Sequence, residues 1–128
     1  MKVSTQAAPR VSCPERAVLE HLTSRWGVLV LSALLEGGRR FGELRREISE
    51  VSEIAVSEKM LTQTLRTLER DGFVGRHARP VIPPHVDYDL TPLGEQAARQ
   101  VRALAGWTEE HVPQVLAARE EYDARTPG

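Results

Sequence analysis

Cysteine is nearly missing from this sequence: Cys13 is the single one in 128 residues. One thiol excludes an intrachain disulfide framework and suits a reducing compartment. Aromatic residues are scarce as well, at 5% against 41% hydrophobic, so a core must be built mostly from Leu, Val and Ala. Long apolar runs are absent. The longest candidate, residues 28–35, contains Ser32 and falls far short of the roughly 18 residues a membrane span requires. The first dozen residues show no apolar stretch of the secretory kind. Together these absences lead us to expect a cytoplasmic protein with no membrane partner. Catalytic and metal signatures are missing too. Gly37-Gly38 lacks the pattern that would make a phosphate loop. His21, His77, His85 and His111 stand far apart, and none pairs with Cys13 at metal-ligand spacing. We therefore expect no enzyme, no metal and no cofactor.

What remains is enough for one compact domain. Net charge is −1, but it is unevenly spread. Residues 37–79 hold nine basic and seven acidic residues, and the rest hold eight and eleven. That contrast is weak by itself; the face on which the basic residues lie decides their use.

Residues 1–11 are polar and aperiodic, and read as a flexible arm. Ser12 and Glu15 fit a capping box with Pro14 in the first turn, which predicts a helix carrying Val18, Leu19 and Leu22. A second helix over 24–36 is apolar nearly all round and so belongs at the centre, ending at Gly37-Gly38. Arg39-Arg40-Phe41 suggests a short strand, and 42–48 another helix. Residues 49–56 read as a turn or frayed extension. Ser57 is a good N-cap for a strong helix whose Leu61, Leu65 and Leu68 form the inward stripe and which stops at Asp71-Gly72. Residues 73–79 and 86–90 read as strands joined by a tip containing Pro80, Pro83 and Pro84, hence a hairpin. Thr91-Pro92 caps a last long helix with Leu93, Ala97, Val101, Leu104 and Trp107, which Pro113 should break or kink. Residues 12–122 are expected to form the single domain, and 123–128 a frayed tail.

Two helices joined by a turn and followed at once by a hairpin are the parts of a winged helix-turn-helix, in which the second helix enters the major groove of DNA. The outward face of the helix at Ser57 fits that use. Lys59, Gln63, Arg66 and Arg70 lie opposite the leucines, with Thr62 beside them, and Ser57 at the helix start is a further candidate DNA contact. Arg and Lys suit guanine edges, Gln suits adenine, and Thr a thymine methyl or a phosphate. The bland alternative is an ordinary solvated face, which is less attractive once the hairpin is considered. Arg40 and the wing's Arg76 and Arg79 suit phosphate or minor-groove contacts. His77 and His85 either bind phosphate when protonated or are simply exposed.

At these residues the chain resembles the HxlR-type family of bacterial and archaeal winged helix-turn-helix regulators. The matching stretches are Cys13-Pro14, Arg25-Trp26 and Arg40-Phe41-Gly42-Glu43-Leu44-Arg45-Arg46. They continue through Lys59-Met60-Leu61-Thr62-Gln63 and Leu68-Glu69-Arg70-Asp71-Gly72 to Pro83-Pro84, Val86, Tyr88, Leu90-Thr91 and Gly94. The resemblance implies an α+β, mostly helical fold: a winged helix-turn-helix with extra N- and C-terminal dimerisation helices. It also implies a homodimer on a palindromic operator of double-stranded DNA, acting as repressor or activator. Leu19, Leu93, Val101, Leu104 and Trp107 would supply the interface, unless that stripe packs onto its own domain. Two departures stand out. The segment 47–57 is about five residues longer than the family's usual connection, and Arg79 replaces a common aromatic residue.

Some relatives sense oxidants or electrophiles at the position of Cys13, and a thiol at a helix N-terminus is a physically reasonable site for it. A capping or half-buried small residue is the plainer reading. Two other functions stay open: a winged-helix module that binds protein, whose outward face should then be acidic or apolar, and a regulator that holds a small ligand between its long helices.

Overall fold

Leucine and valine fill the core, as the shortage of aromatics requires. Val30, Leu31, Leu44, Leu61, Leu65 and Leu68 are essentially sealed from solvent. The computed structural model describes residues 13–126, so the arm expected at 1–11 and the last two residues of the chain lie outside the described residues. The order is α1 (Pro14–Thr23), α2 (Arg25–Leu34), β1 (Arg39–Arg40), α3 (Phe41–Ser52), α4 (Glu58–Arg70), β2 (Val74–Arg79), β3 (His85–Leu90) and α5 (Pro92–Arg125). The strands form an antiparallel sheet in the order β1-β3-β2. This is the expected mostly helical α+β winged helix-turn-helix. Helix α2, buried on most of its surface, sits in the middle with α1, α3, α4 and α5 packed around it.

The helix starts follow from their caps. Ser24, Ser57 and Thr91 each accept a backbone N–H from the first turn that follows, at 3.1, 3.0 and 2.9 Å. The cap of α1 falls one residue later than expected. Cys13 occupies it, with the Arg16 N–H donating to its Sγ at 3.4 Å; Ser12, the cap expected from the sequence, lies outside the described residues. Pro14 is at the first helical position, where its missing N–H costs nothing. At Phe41 the short strand gives way to α3, and Glu43 accepts the Arg40 backbone N–H at 3.0 Å.

The long connection before α4 resolves into two parts. Helix α3 runs one turn further than expected, to Ser52, and Glu53 ends it in the left-handed region with φ 60. The remaining link is held firmly. Val56 is buried, its N–H donates to Ser49 Oγ at 3.1 Å, and its carbonyl accepts from Arg45 Nε at 2.8 Å. The start of α4 is therefore anchored by an apolar plug and two hydrogen bonds. Its far end is tied to α1, where His21 Nδ1 lies 2.6 Å from Asp71 Oδ2.

Helix α5 differs from expectation in length. It continues through Pro113 to Arg125 instead of stopping near it or fraying after Tyr122. Proline removes one intrahelical donor, which leaves the Glu109 carbonyl to water on this exposed stretch. Only the beginning of α5 touches the core, through Gly94, Ala98 and Val101. The close approach there depends on Gly94. A Cβ at that position would lie 1.8 Å from the Phe73 carbonyl oxygen, which itself accepts the Thr91 N–H at 3.0 Å. No side chain gives way in such a clash, because the obstacle is backbone. Gly94→Ala is expected to lower stability by about 2–3 kcal/mol through forced separation of α5 from the strand start. Urea unfolding measures this, and a change below about 0.5 kcal/mol would show that the junction is plastic.

Candidate nucleic-acid interface

The inward leucines of α4 leave Lys59, Arg66 and Arg70 exposed on its opposite side. Between α4, the start of α3 and the β2–β3 hairpin runs an open groove of about 950 Å³. Arg40, Arg46, Thr62, Arg66, Arg76 and His85 line it, together with Glu43, Glu58 and Glu69. Thus Arg40, Thr62, Arg66, Arg76 and His85, all expected from the sequence, come together around one concavity. Lys59 is exposed on α4 near its N-terminus but does not line the groove.

Two expected residues sit elsewhere. Ser57 uses its hydroxyl oxygen to cap α4 through Met60 N. Gln63 lies on the other shoulder of α4, over a smaller cleft shared with Glu20, His21, Met60 and Thr67. Arg46 was not among the expected residues although it faces the groove. Its signal was present, since it falls four residues after Gly42 and so on the same side of α3.

The hairpin divides its charges by strand parity. Alternate residues point to opposite faces. Val74, Arg76 and Ala78 pair with Leu90, Tyr88 and Val86 on the face that carries the core residues. His77 and Arg79 share the other face with Asp87 and Asp89. There they are already partnered: Arg79 Nε donates to Asp87 Oδ2 at 2.7 Å, His77 Nε2 lies 3.1 Å from Asp89 Oδ1, and His85 Nε2 lies 3.7 Å from Asp87 Oδ1. By contrast, Arg40, Arg46, Lys59, Arg66, Arg70 and Arg76 make no ion pair among the described residues. Within the wing, Arg79 is thus held by Asp87, while Arg76 makes no ion pair among the described residues. The two aspartates were legible only with the hairpin register in hand, because the pairs that matter are diagonal across the strands.

The interface residues expected on the long helix also divide. Leu93, Leu104 and Trp107 are about half exposed, as is Leu19 on α1. Val101 is 8% exposed and belongs to the domain's own core. Past Val101, α5 buries nothing, yet Leu104, Trp107, His111, Val115, Ala118 and Tyr122 recur along it at spacings of three and four. Trp107 and His111 stack at 4.3 Å. Cys13 is partly buried at the start of α1. No group of acidic, histidine and cysteine side chains that could hold a metal ion occurs among the described residues, and no described helix is long and apolar enough to cross a membrane.

Asp87 is the electrostatic centre of the hairpin. The hydrogen bond from Arg79 lowers its pKa below the ordinary 3.8; partial burial opposes this, and the charges of Arg79, His85 and Arg40 add to the lowering. A carboxyl whose folded pKa is depressed stabilises the fold above its unfolded pKa and loses that contribution as pH falls through the folded value. Asp87→Asn is therefore expected to flatten the decline of thermal stability below pH 3.8. Melting curves from neutral to acid pH test this, and an unchanged acid limb would mean that Asp87 does not brace the wing.

Comparison with known proteins places this architecture. A family described as HxlR-like helix-turn-helix matches residues 21–116. The HTH-type transcriptional regulator YtfH of Escherichia coli (strain K12) is 60% identical over 112 residues, covering 88% of this chain and 85% of the relative. The solved structure of the transcriptional regulator ytfH from Salmonella typhimurium superposes with a TM-score of 0.77 at 58% identity, covering 85% of this chain and 93% of that one. The redox regulator HypR in its oxidized form matches with a TM-score of 0.65 at 32% identity, covering 77% of this chain and 96% of that one. The chain, with its hairpin beside the exposed face of α4, belongs to the HxlR-like helix-turn-helix family of transcriptional regulators.

Proposed function

We propose that this regulator binds a palindromic DNA operator as a homodimer, with α4 in the major groove and the β2–β3 hairpin beside it. The observation that carries the reading is the set of unpaired cations on one surface: Lys59, Arg66 and Arg70 on α4, Arg40 and Arg46 at α3, and Arg76 across the groove. A surface meant only for solubility gains from local ion pairs, whereas one meant for phosphates and base edges keeps its guanidinium groups available. The acids in the groove favour selectivity, since a carboxylate near a phosphate penalises misplaced registers and can accept from cytosine. A face of this sign argues against a protein-binding module with an acidic or apolar face.

The homodimer rests on α5. A solitary exposed helix with an apolar stripe is not stable in water by propensity alone, and its stripe calls for a partner. Leu104, Trp107, His111, Val115, Ala118 and Tyr122 follow the three-and-four spacing of a coiled-coil seam, with Leu19 of α1 and Leu93 also exposed. A second copy supplies the matching stripe by twofold symmetry. Sensing of oxidants or electrophiles is a further part of the proposal. Cys13 caps α1, whose other end is tied by His21 to Asp71 at the end of α4, and the similar protein HypR is a redox regulator. Alkylation of Cys13, or a mixed disulfide formed with a small thiol while an oxidant such as diamide takes up the two electrons and two protons, would remove a cap and tilt α1.

Binding titrations on the footprinted operator test the reading. Arg66→Ala is expected to cost about 1–3 kcal/mol and relax sequence preference. Arg76→Ala should weaken all sequences alike and reduce the salt slope by about one. Trp107→Glu should sediment as a monomer and lose the two-half-site footprint. Unchanged binding by Arg66→Ala together with Lys59→Ala would refute the assigned face. For the sensing step, diamide should release the parent from DNA but not Cys13→Ser; equal release of both would discard Cys13 as the sensor.

A further inference from the structure

The hairpin tip, residues 80–84, reads Pro80-Val81-Ile82-Pro83-Pro84 and contains no charged or hydrogen-bonding side chain. Ile82 is 98% exposed and Val81 48%. A fully exposed isoleucine at the apex of a charged hairpin gains nothing for folding. The two residues that close the loop, Arg79 and His85, are cross-strand partners, and both side chains turn to Asp87. Arg79, the arginine nearest the tip, is thus engaged on the outer face of the sheet and withdrawn from the apex. Pro84 lines the groove beside α4, which sets the loop on the same side of the molecule as the exposed cations of that helix. Three prolines and the Asp87 clamp leave the loop little conformational freedom to lose on contact.

We propose that Val81 and Ile82 form an apolar wedge that seats in the minor groove flanking the major-groove site, in place of a phosphate contact from the tip. This rests on the DNA-binding reading above. Apolar side chains of this size, flanked by proline, are the kind that enter minor grooves and press against sugars and base steps. The floor of that groove is smoothest over A·T pairs, because the guanine 2-amino group projects from G·C pairs. The tip should therefore favour flanks without that group, giving base-composition preference beyond the reach of α4. The division of labour is specific: Arg76 carries charge-dependent affinity, and Ile82 carries affinity that salt does not screen.

The test compares the parent, Ile82→Ala and Arg76→Ala on operator duplexes whose flanking G·C pairs are kept or replaced by inosine·cytosine. That replacement removes the 2-amino group from the minor groove and leaves the major-groove edge unchanged. The parent is expected to bind the inosine duplex more tightly. Ile82→Ala should lose about fivefold to tenfold in affinity, keep the parent's salt slope, and bind both duplexes equally. Its thermal melting should match the parent's, since Ile82 is 98% exposed. Binding by Ile82→Ala within about twofold of the parent on both duplexes would overturn the wedge. So would a variant that still distinguishes the duplexes as the parent does. If the parent itself binds no operator duplex, both the DNA-binding reading and the wedge fall; normal parental binding with an indifferent Ile82→Ala removes the wedge alone.

Discussion

The packing of three leucines decides what this molecule presents to its surroundings. Leu61, Leu65 and Leu68 bury one side of α4 against the apolar helix at the centre of the domain. In a helix the inward stripe determines the outward one, so the exposure of Lys59, Arg66 and Arg70 is a geometric result of where the leucines go. Each fully buried leucine contributes about 1.5–3 kcal/mol, far more than the exposed charges contribute to folding. Selection on the outer face is therefore nearly independent of selection on the fold. Val56 and the Arg45 hydrogen bond complete the constraint by holding the point where α4 begins.

Features determined by local chemistry were legible from the chain itself. Ser24, Ser57 and Thr91 each head a helix as expected, because a hydroxyl before an apolar run has one favourable use. The leucine stripe and the proline-bounded hairpin were equally direct. Features that depend on competition were not. Ser12 and Cys13 both suit a cap, and the choice between them rests on where the chain enters the fold. The extra turn of α3 needed Ser49 and Val56 to find each other across the link. Pro113 is a helix breaker by propensity, yet the flanking residues are strong helix formers and the lost bond is solvated. The pairing of Arg79 with Asp87 was not legible, because a lone sequence position shows no parity and no diagonal partner.

Charge in this protein has meaning only by location. A net of −1 gives no hint of an anionic partner. Pairing concentrates the neutralised groups on the outer face of the hairpin and along the scaffold, where Arg39 meets Glu47 and Arg102 meets Glu36. Four guanidinium groups without an ion pair among the described residues, those of Arg40, Arg46, Arg66 and Arg76, line one groove. Electrostatic focusing in a concavity depends on that local imbalance and not on the total.

The junction at Gly94 gives the long helix a mechanical meaning. Helix α5 has 34 residues, which at 1.5 Å each makes a rod about 50 Å long. It touches the domain over its first three turns only, through Gly94, Ala98, Val101 and the pair of Arg102 with Glu36. If two chains pair along the far end, the rod is a lever with its pivot at the wing domain. The part beyond Arg102 is about 35 Å long, so a swing of about 5° moves its end by about 3 Å, close to the rise of one base pair along DNA. Two reading heads joined by such levers stay in register with successive turns of the duplex only while the pivot holds its angle. A small chemical event near the pivot then suffices to turn a matched pair of half-sites into a mismatched one.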